Sequence, residues 1–128
     1  MTAKKKVKNR IDRALASKIL KTVSHNTAFY FFTGFGQYCG EYAVGLDGLC
    51  QKLKTIDRKS IDFHFKRRDF EKWIRGTIGD VNLAKGIKNI KRSIRGEELR
   101  VKLYQIVERR LSELKKLLAS KDIYMDRS

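Results

Sequence analysis

Apolar positions recur along most of this chain at intervals of three and four, the period of one face of an α-helix. Val7, Ile11, Leu15, Ile19 and Val23 predict a helix reaching about Thr22. Leu46, Leu49, Cys50, Leu53 and Ile56 predict another over about 44–56. Phe70, Trp73, Ile74 and Ile78 follow at i, i+3, i+4 and i+8, on one face, and Asp69 stands where a carboxylate caps the first turn's free N–H groups. Gly79 suits a left-handed stop, and Asp80 the cap of the next helix. That helix carries Leu83, Ile87, Ile90 and Ile94 on one face and Lys85, Lys88, Arg92 and Arg95 on the other. Gly86 within it costs up to about 1 kcal/mol relative to alanine and marks a close neighbouring element. After the break at Gly96, Glu97 and Glu98 sit at the positive end of a helix dipole. Leu99, Leu103, Val107, Leu111, Leu114 and Leu118, with Ile106 and Leu117 beside them, predict a last helix of roughly twenty residues.

Two stretches depart from this period. Ala28 to Phe32, AFYFF, reads as a short buried strand, and Gln37 to Ala43 as its hairpin partner across a glycine-rich turn. Ile61 to Phe65 fits both periods and is assigned a short helix, after Asp57 and Ser60 as turn or capping residues. The expected fold is mainly α: a compact helical domain of about five helices, a small β-hairpin in the N-terminal third, and a long C-terminal helix. Residues 1–6 are expected to be a flexible basic arm, 7–119 a single domain and 120–128 a frayed tail.

Composition agrees with one globular domain: 128 residues, 41% hydrophobic and 34% charged. Proline is absent, so helix stops fall to glycine and capping residues. Charge changes the picture most. Thirty Lys and Arg against fourteen Asp and Glu give a net charge of +16, and self-repulsion of that size implies an anionic partner. No stretch reaches the ~18 apolar residues needed to cross a bilayer. MTAKKKVKNR carries the charge of a signal peptide without an apolar core behind it. A cytoplasmic protein without membrane contact is expected. Cys39 and Cys50 are expected as buried free thiols; a disulfide is the alternative for a hyperthermophile.

Nucleic acid is the expected partner. The candidate phosphate contacts are Lys4, Lys5, Lys6, Lys8, Arg10 and Arg13 near the N-terminus, and Lys66, Arg67 and Arg68 in the centre. Lys85, Lys88, Arg92 and Arg95 complete the set. Such contacts position a protein without reading sequence, so selectivity is expected to be weak, with RNA or a ribonucleoprotein ahead of DNA. There is no zinc finger, no RRM signature and no convincing GXXG loop.

Other chemistry finds less in the sequence. Gly34, Gly36 and Gly40 suggest a phosphate-cradling turn, but Cys39 stands where the dinucleotide fingerprint needs glycine, and no Gly-Lys-Ser/Thr follows. Tight turns account for these glycines. His64, between Phe63 and Phe65, reads first as a hydrogen-bonded core residue and second as a base or phosphate ligand. Asp69 and Asp80 are explained as caps without a catalytic pair. No zinc-type spacing links His25, Cys39, Cys50 and His64, so no metal, cofactor or enzymatic activity is expected. Trp73 reads as a core anchor, with Tyr38, Tyr42 and Tyr104 as alternative stacking residues.

Two other functions remain open. One is a regulatory interaction module, a homodimer through Leu99–Leu118 whose basic surface meets an acidic partner. The other is a small phosphorylated ligand held by Gly34, Gly36, His64 and Arg67.

The succession TGFGQYCGE, SIDFHFKRRDFEKWI, GDVNLA and GEELR resembles a family of small archaeal and bacterial domains of unknown function. The resemblance covers about Phe29 to Leu114. It implies an aromatic strand, a glycine turn, a helix, a histidine-containing segment and a helix carrying Asp69, Phe70 and Trp73, in a chain of prokaryotic origin. It carries over no activity.

Overall fold

The computed structural model describes the backbone of residues 13–126 and the side chains of residues 13–119. Its longest element is the C-terminal helix, α6 (Gly96–Asp126). Before it, in chain order, come α1 (13–19), a hairpin of β1 (Phe29–Phe32) and β2 (Tyr38–Ala43), α2 (Leu46–Thr55) and α3 (Arg58–Lys66). Then follow α4 (Asp69–Trp73), a π-helical turn (Ile74–Ile78) and α5 (Val81–Lys88). The fold is the expected one, a helical domain with one small hairpin and a long last helix.

The stripe on α6 is used inside the domain. Leu99, Leu103, Val107, Leu111 and Leu114 are each at most 5% exposed, covered by α2, α3 and α5. Of the apolar residues named for the proposed homodimer seam, Ile106, Leu117 and Leu118 are left partly buried against this core. The helix also outruns the expected twenty residues. Its backbone stays helical to Asp126, so the tail expected to fray from 120 is helical through that point. Gly96, at φ 62°, makes the left-handed entry, and its N–H donates to Asp62 Oδ1 at 2.8 Å. A Cβ on Gly86 would sit 3.5 Å from Ile106, so the expected neighbouring element is α6, at an ordinary van der Waals distance that does not itself require glycine.

The hairpin closes the opposite side. β1 and β2 run antiparallel, pairing Phe29 with Ala43, Tyr30 with Tyr42 and Phe32 with Tyr38. Alternation sends Phe29 and Phe31 into the core and leaves Tyr30 and Phe32 half-buried. Phe29 stacks on Phe70 with ring centroids 5.1 Å apart and meets Trp73 edge-on at 5.6 Å. The Trp73 indole N–H donates to the Thr27 carbonyl at 2.7 Å, so the large ring is anchored at both its apolar and polar ends.

Several boundaries differ from expectation. The first helix stops at residue 19, short of Thr22, because the chain turns so that the Val23 N–H reaches the Val44 carbonyl at 2.7 Å. Asp57 caps α3 through the Lys59 N–H, whereas Ser60 is a buried residue within that helix and caps nothing. Asp69 is not a cap either. Arg68, at φ 64°, precedes α4, and Asp69 opens the helix with its carboxylate turned back toward α3. The helix it opens widens at Ile74, whose carbonyl accepts from both Gly79 and Asp80 N–H. Finally, α5 ends at Lys88, so Arg92 and Arg95 lie in the following turn and not on a shared helix face with Lys85 and Lys88.

Candidate nucleic-acid interface

Between residues 58 and 95 the carboxylates are all turned to internal use. Asp62 binds the Gly96 N–H, and Asp69 takes His64 Nδ1 at 2.9 Å and Arg67 Nε at 3.1 Å. Glu71, 4% exposed, meets Arg68 at 3.3 Å, and Asp80, 1% exposed, caps α5 and receives Arg110. None of the four is an exposed residue. Lys66, Arg67, Arg68, Lys72, Arg75, Lys85, Lys88, Lys91 and Arg95 are exposed. The outward charge of this segment is therefore of one sign. Elsewhere the exposed carboxylates Asp47, Glu97, Glu98, Glu108 and Glu113 alternate with cations on α2 and α6.

The expected contact residues divide by what holds them. Lys66, Lys85 and Lys88 have no ion pair among the described residues and present free ammonium groups to solvent. Arg67 and Arg68 are each anchored by one carboxylate and remain about half exposed. Arg92 is committed to the fold. Its Nη2 donates to the Phe65 and Lys66 carbonyls at 2.8 and 3.2 Å, and its guanidinium lies 4.3 Å from the Phe65 ring centroid. It closes the carbonyl end of α3 and brings the 89–95 turn against Lys66. Arg95 Nη1 donates to the Arg92 and Ile94 carbonyls, which fixes its side chain along the same turn. Arg13 is half-buried on α1, and Lys4, Lys5, Lys6, Lys8 and Arg10 lie outside the described residues.

A second cluster has no counterpart among the expected contacts. A groove of about 450 Å³ runs between the 89–95 turn and α6, with Ile90, Ile94 and Ile106 below and Lys91, Lys102 and Arg109 at its edges. These three cations have no ion pair among the described residues. Lys102, Ile106 and Arg109, at i, i+4 and i+7, share a face of α6. That spacing was visible in the sequence. Its meeting with Lys91 across Gly86 and Ile106 was not.

His64 is held at both ring nitrogens. A main-chain N–H can only donate, so the 2.8 Å contact from Phe32 N–H makes Nε2 an acceptor and places the proton on Nδ1, which donates to Asp69. Burial keeps its pKa below the ordinary histidine value; the Asp69 bond opposes this and the Arg67 charge adds to it. The ring is neutral near pH 7, with its lone pair already used, which is the geometry of a core histidine.

His64 and Asp69 form the inner wall of a cleft of about 330 Å³ between the hairpin turn and the α3–α4 junction. Gly34, Gly36 and Arg67 also line it, so the turn, the histidine and the central basic run meet in space. The residue that sequence reading missed is Phe35. It sits at the hairpin tip, 82% exposed, edge-on to Phe63 with centroids 5.5 Å apart. The Arg67 guanidinium lies 4.9 Å from the Phe35 centroid and 5.2 Å from that of Phe63. An aromatic set between two glycines at a turn, in GFG, was the available signal.

Cys50 is buried and Cys39 half-buried, both as free thiols. Burial, then the nearby Glu108 and Asp47, push the Cys50 thiol pKa up, so it stays protonated and unreactive at neutral pH. No group of three metal-ligating side chains occurs among the described residues. No helix among them is long and apolar enough to cross a membrane. No family model, curated protein or solved structure matches this chain.

Proposed function

We propose that this protein binds nucleic acid by its phosphate backbone, as a non-enzymatic module with weak sequence selectivity and with RNA or a ribonucleoprotein ahead of DNA. One observation carries the reading. From 58 to 95 every exposed charge is positive, because Asp62, Asp69, Glu71 and Asp80 are consumed inside the fold. A surface of mixed sign would screen itself; here Arg67 and Arg68 each share a carboxylate with the fold, and Lys66, Lys72, Arg75, Lys85, Lys88 and Lys91 present charge with no ion pair among the described residues. The groove edged by Lys91, Lys102 and Arg109 adds cations from α6. Lysines act as point charges with no base code, so weak selectivity follows from the contact type. A cytoplasmic location is part of the same proposal.

Filter binding of a single-stranded RNA and a DNA duplex, each at 50 and 200 mM salt, tests it. Contact with six or more phosphates predicts a loss of about 10³-fold or more in affinity across that range. Binding that ignores salt, or no binding at 50 mM, overturns the proposal.

A further inference from the structure

We propose that the cleft beside Phe35 takes one unstacked base of a single-stranded nucleic acid, laid against the Phe35 ring, with Arg67 on the adjoining phosphate. This rests on the reading above and names the form of nucleic acid that the site selects. A phenylalanine 82% exposed at a hairpin tip contributes little to the core. Its contacts with Phe63 and Arg67 nevertheless hold the ring in place, so a stacking partner meets a preset surface.

Three features select a base over another apolar group. The first is the guanidinium at the cleft mouth. Arg67 lies within 5.2 Å of both ring centroids and is still 44% exposed, placing positive charge where a strand's phosphate would run. The second is continuity, because Lys66, the last residue of α3, and Arg68 flank Arg67 at the α3–α4 junction. The third is access: a Cβ on Gly36 would meet nothing within 4 Å, and the cleft of about 330 Å³ opens beside it. Stacking on an aromatic next to a cationic track is how sequence-tolerant single-strand binders hold their bases. A duplex keeps its bases inside and can use only the cations.

The test crosses one substitution with one change of ligand. Affinities of the full chain and of Phe35→Ala are measured for a thymidine 12-mer, an abasic 12-mer of equal charge and a duplex. Phe35 carries no core packing, so the variant should keep the thermal midpoint, and Phe35→Trp serves as the conservative replacement. The expected result is a loss of roughly ten-fold or more for Phe35→Ala on the thymidine strand. Little loss should appear on the abasic strand or the duplex, and Phe35→Trp should restore binding. Equal losses on all three ligands, or no loss on the thymidine strand, overturn the base-stacking proposal. In that second case, salt-dependent binding by the unaltered chain leaves the phosphate reading standing. If the unaltered chain binds none of the three at 50 mM salt, both fail together.

Discussion

Asp80 and Arg110 are joined across thirty residues of sequence by two charge-assisted hydrogen bonds, Nε to Oδ2 at 2.7 Å and Nη2 to Oδ1 at 3.0 Å. Asp80 is 1% exposed and at the same time caps α5 through the Leu83 N–H at 3.1 Å. One carboxylate therefore fixes both the start of α5 and its station along α6. Removing the guanidinium leaves a charge buried with only the cap to satisfy it, which costs about 3 kcal/mol. Arg110→Ala should lower the thermal midpoint by roughly 10 °C in a domain of this size. Arg110→Lys should recover part of that, because a single ammonium cannot reproduce the two-pronged contact. Differential scanning calorimetry of the two variants is the check.

His64 makes stability depend on pH. Its folded pKa is depressed below the ordinary 6.5, so the unfolded chain binds a proton that the folded one resists. Stability is fully present above about pH 6.5 and is lost progressively as the pH falls from there to the folded value. Protonation would also put a hydrogen on Nε2, against the Phe32 N–H. Urea unfolding at pH 7.5 and pH 5.5 should show the native protein weaker at the lower pH. His64→Gln, which keeps an acceptor but does not titrate, should flatten the difference.

Arg92 should separate folding from binding. Its guanidinium stacks on Phe65 and its Nη2 closes the last carbonyls of α3, contacts that belong to the fold. Arg92→Ala should destabilise the domain by about 2 kcal/mol. The salt dependence of nucleic-acid binding, measured below the variant's melting point, should hardly change. A fall in the salt slope equal to that of an exposed lysine variant would reassign Arg92 to the interface.

Ser60 is a buried hydroxyl, 0% exposed, with no hydrogen-bond partner among the described residues. Removing an unsatisfied polar atom from a helix interior relieves its desolvation cost and gains helix propensity. Ser60→Ala should therefore hold or raise the thermal midpoint, by up to about 1 kcal/mol in stability. A clear loss would mean that Oγ has a partner in solution.

Legibility in the sequence followed the range of the interaction. Local chemistry could be read directly. The aromatic run Phe29–Phe32 formed its strand, Gly79 took its left-handed stop at φ 89°, and Asp57 and Asp80 capped their helices. Roles set by distant partners could not be read. Asp69 has the same local context as a cap, and only the left-handed Arg68 before it turns its carboxylate toward His64. Ile90 and Ile94 prolong the helical period past Lys88, yet the chain leaves the helix and Arg92 reaches the α3 carbonyls twenty-six and twenty-seven residues away. For the candidate site, Lys66, Lys85 and Lys88 were visible as charges. The inward turning of four carboxylates, the groove of Lys91 with Lys102 and Arg109, and the exposed ring of Phe35 are properties of the packed chain.

The cationic segment faces its sharpest test in two triple variants of equal net charge. One removes Lys85, Lys88 and Lys91 by substitution to Ala; the other removes Lys54, Lys115 and Lys116, exposed cations on α2 and α6. The quantity to compare is the slope of log affinity against log salt for a single-stranded RNA. The first variant should weaken binding and lower the slope by about two to three, roughly one unit for each phosphate no longer neutralised. The second should leave the slope near that of the unaltered chain. Equal slopes in the two variants would mean that net charge alone attracts the polyanion and that the 58–95 surface has no special part in binding it.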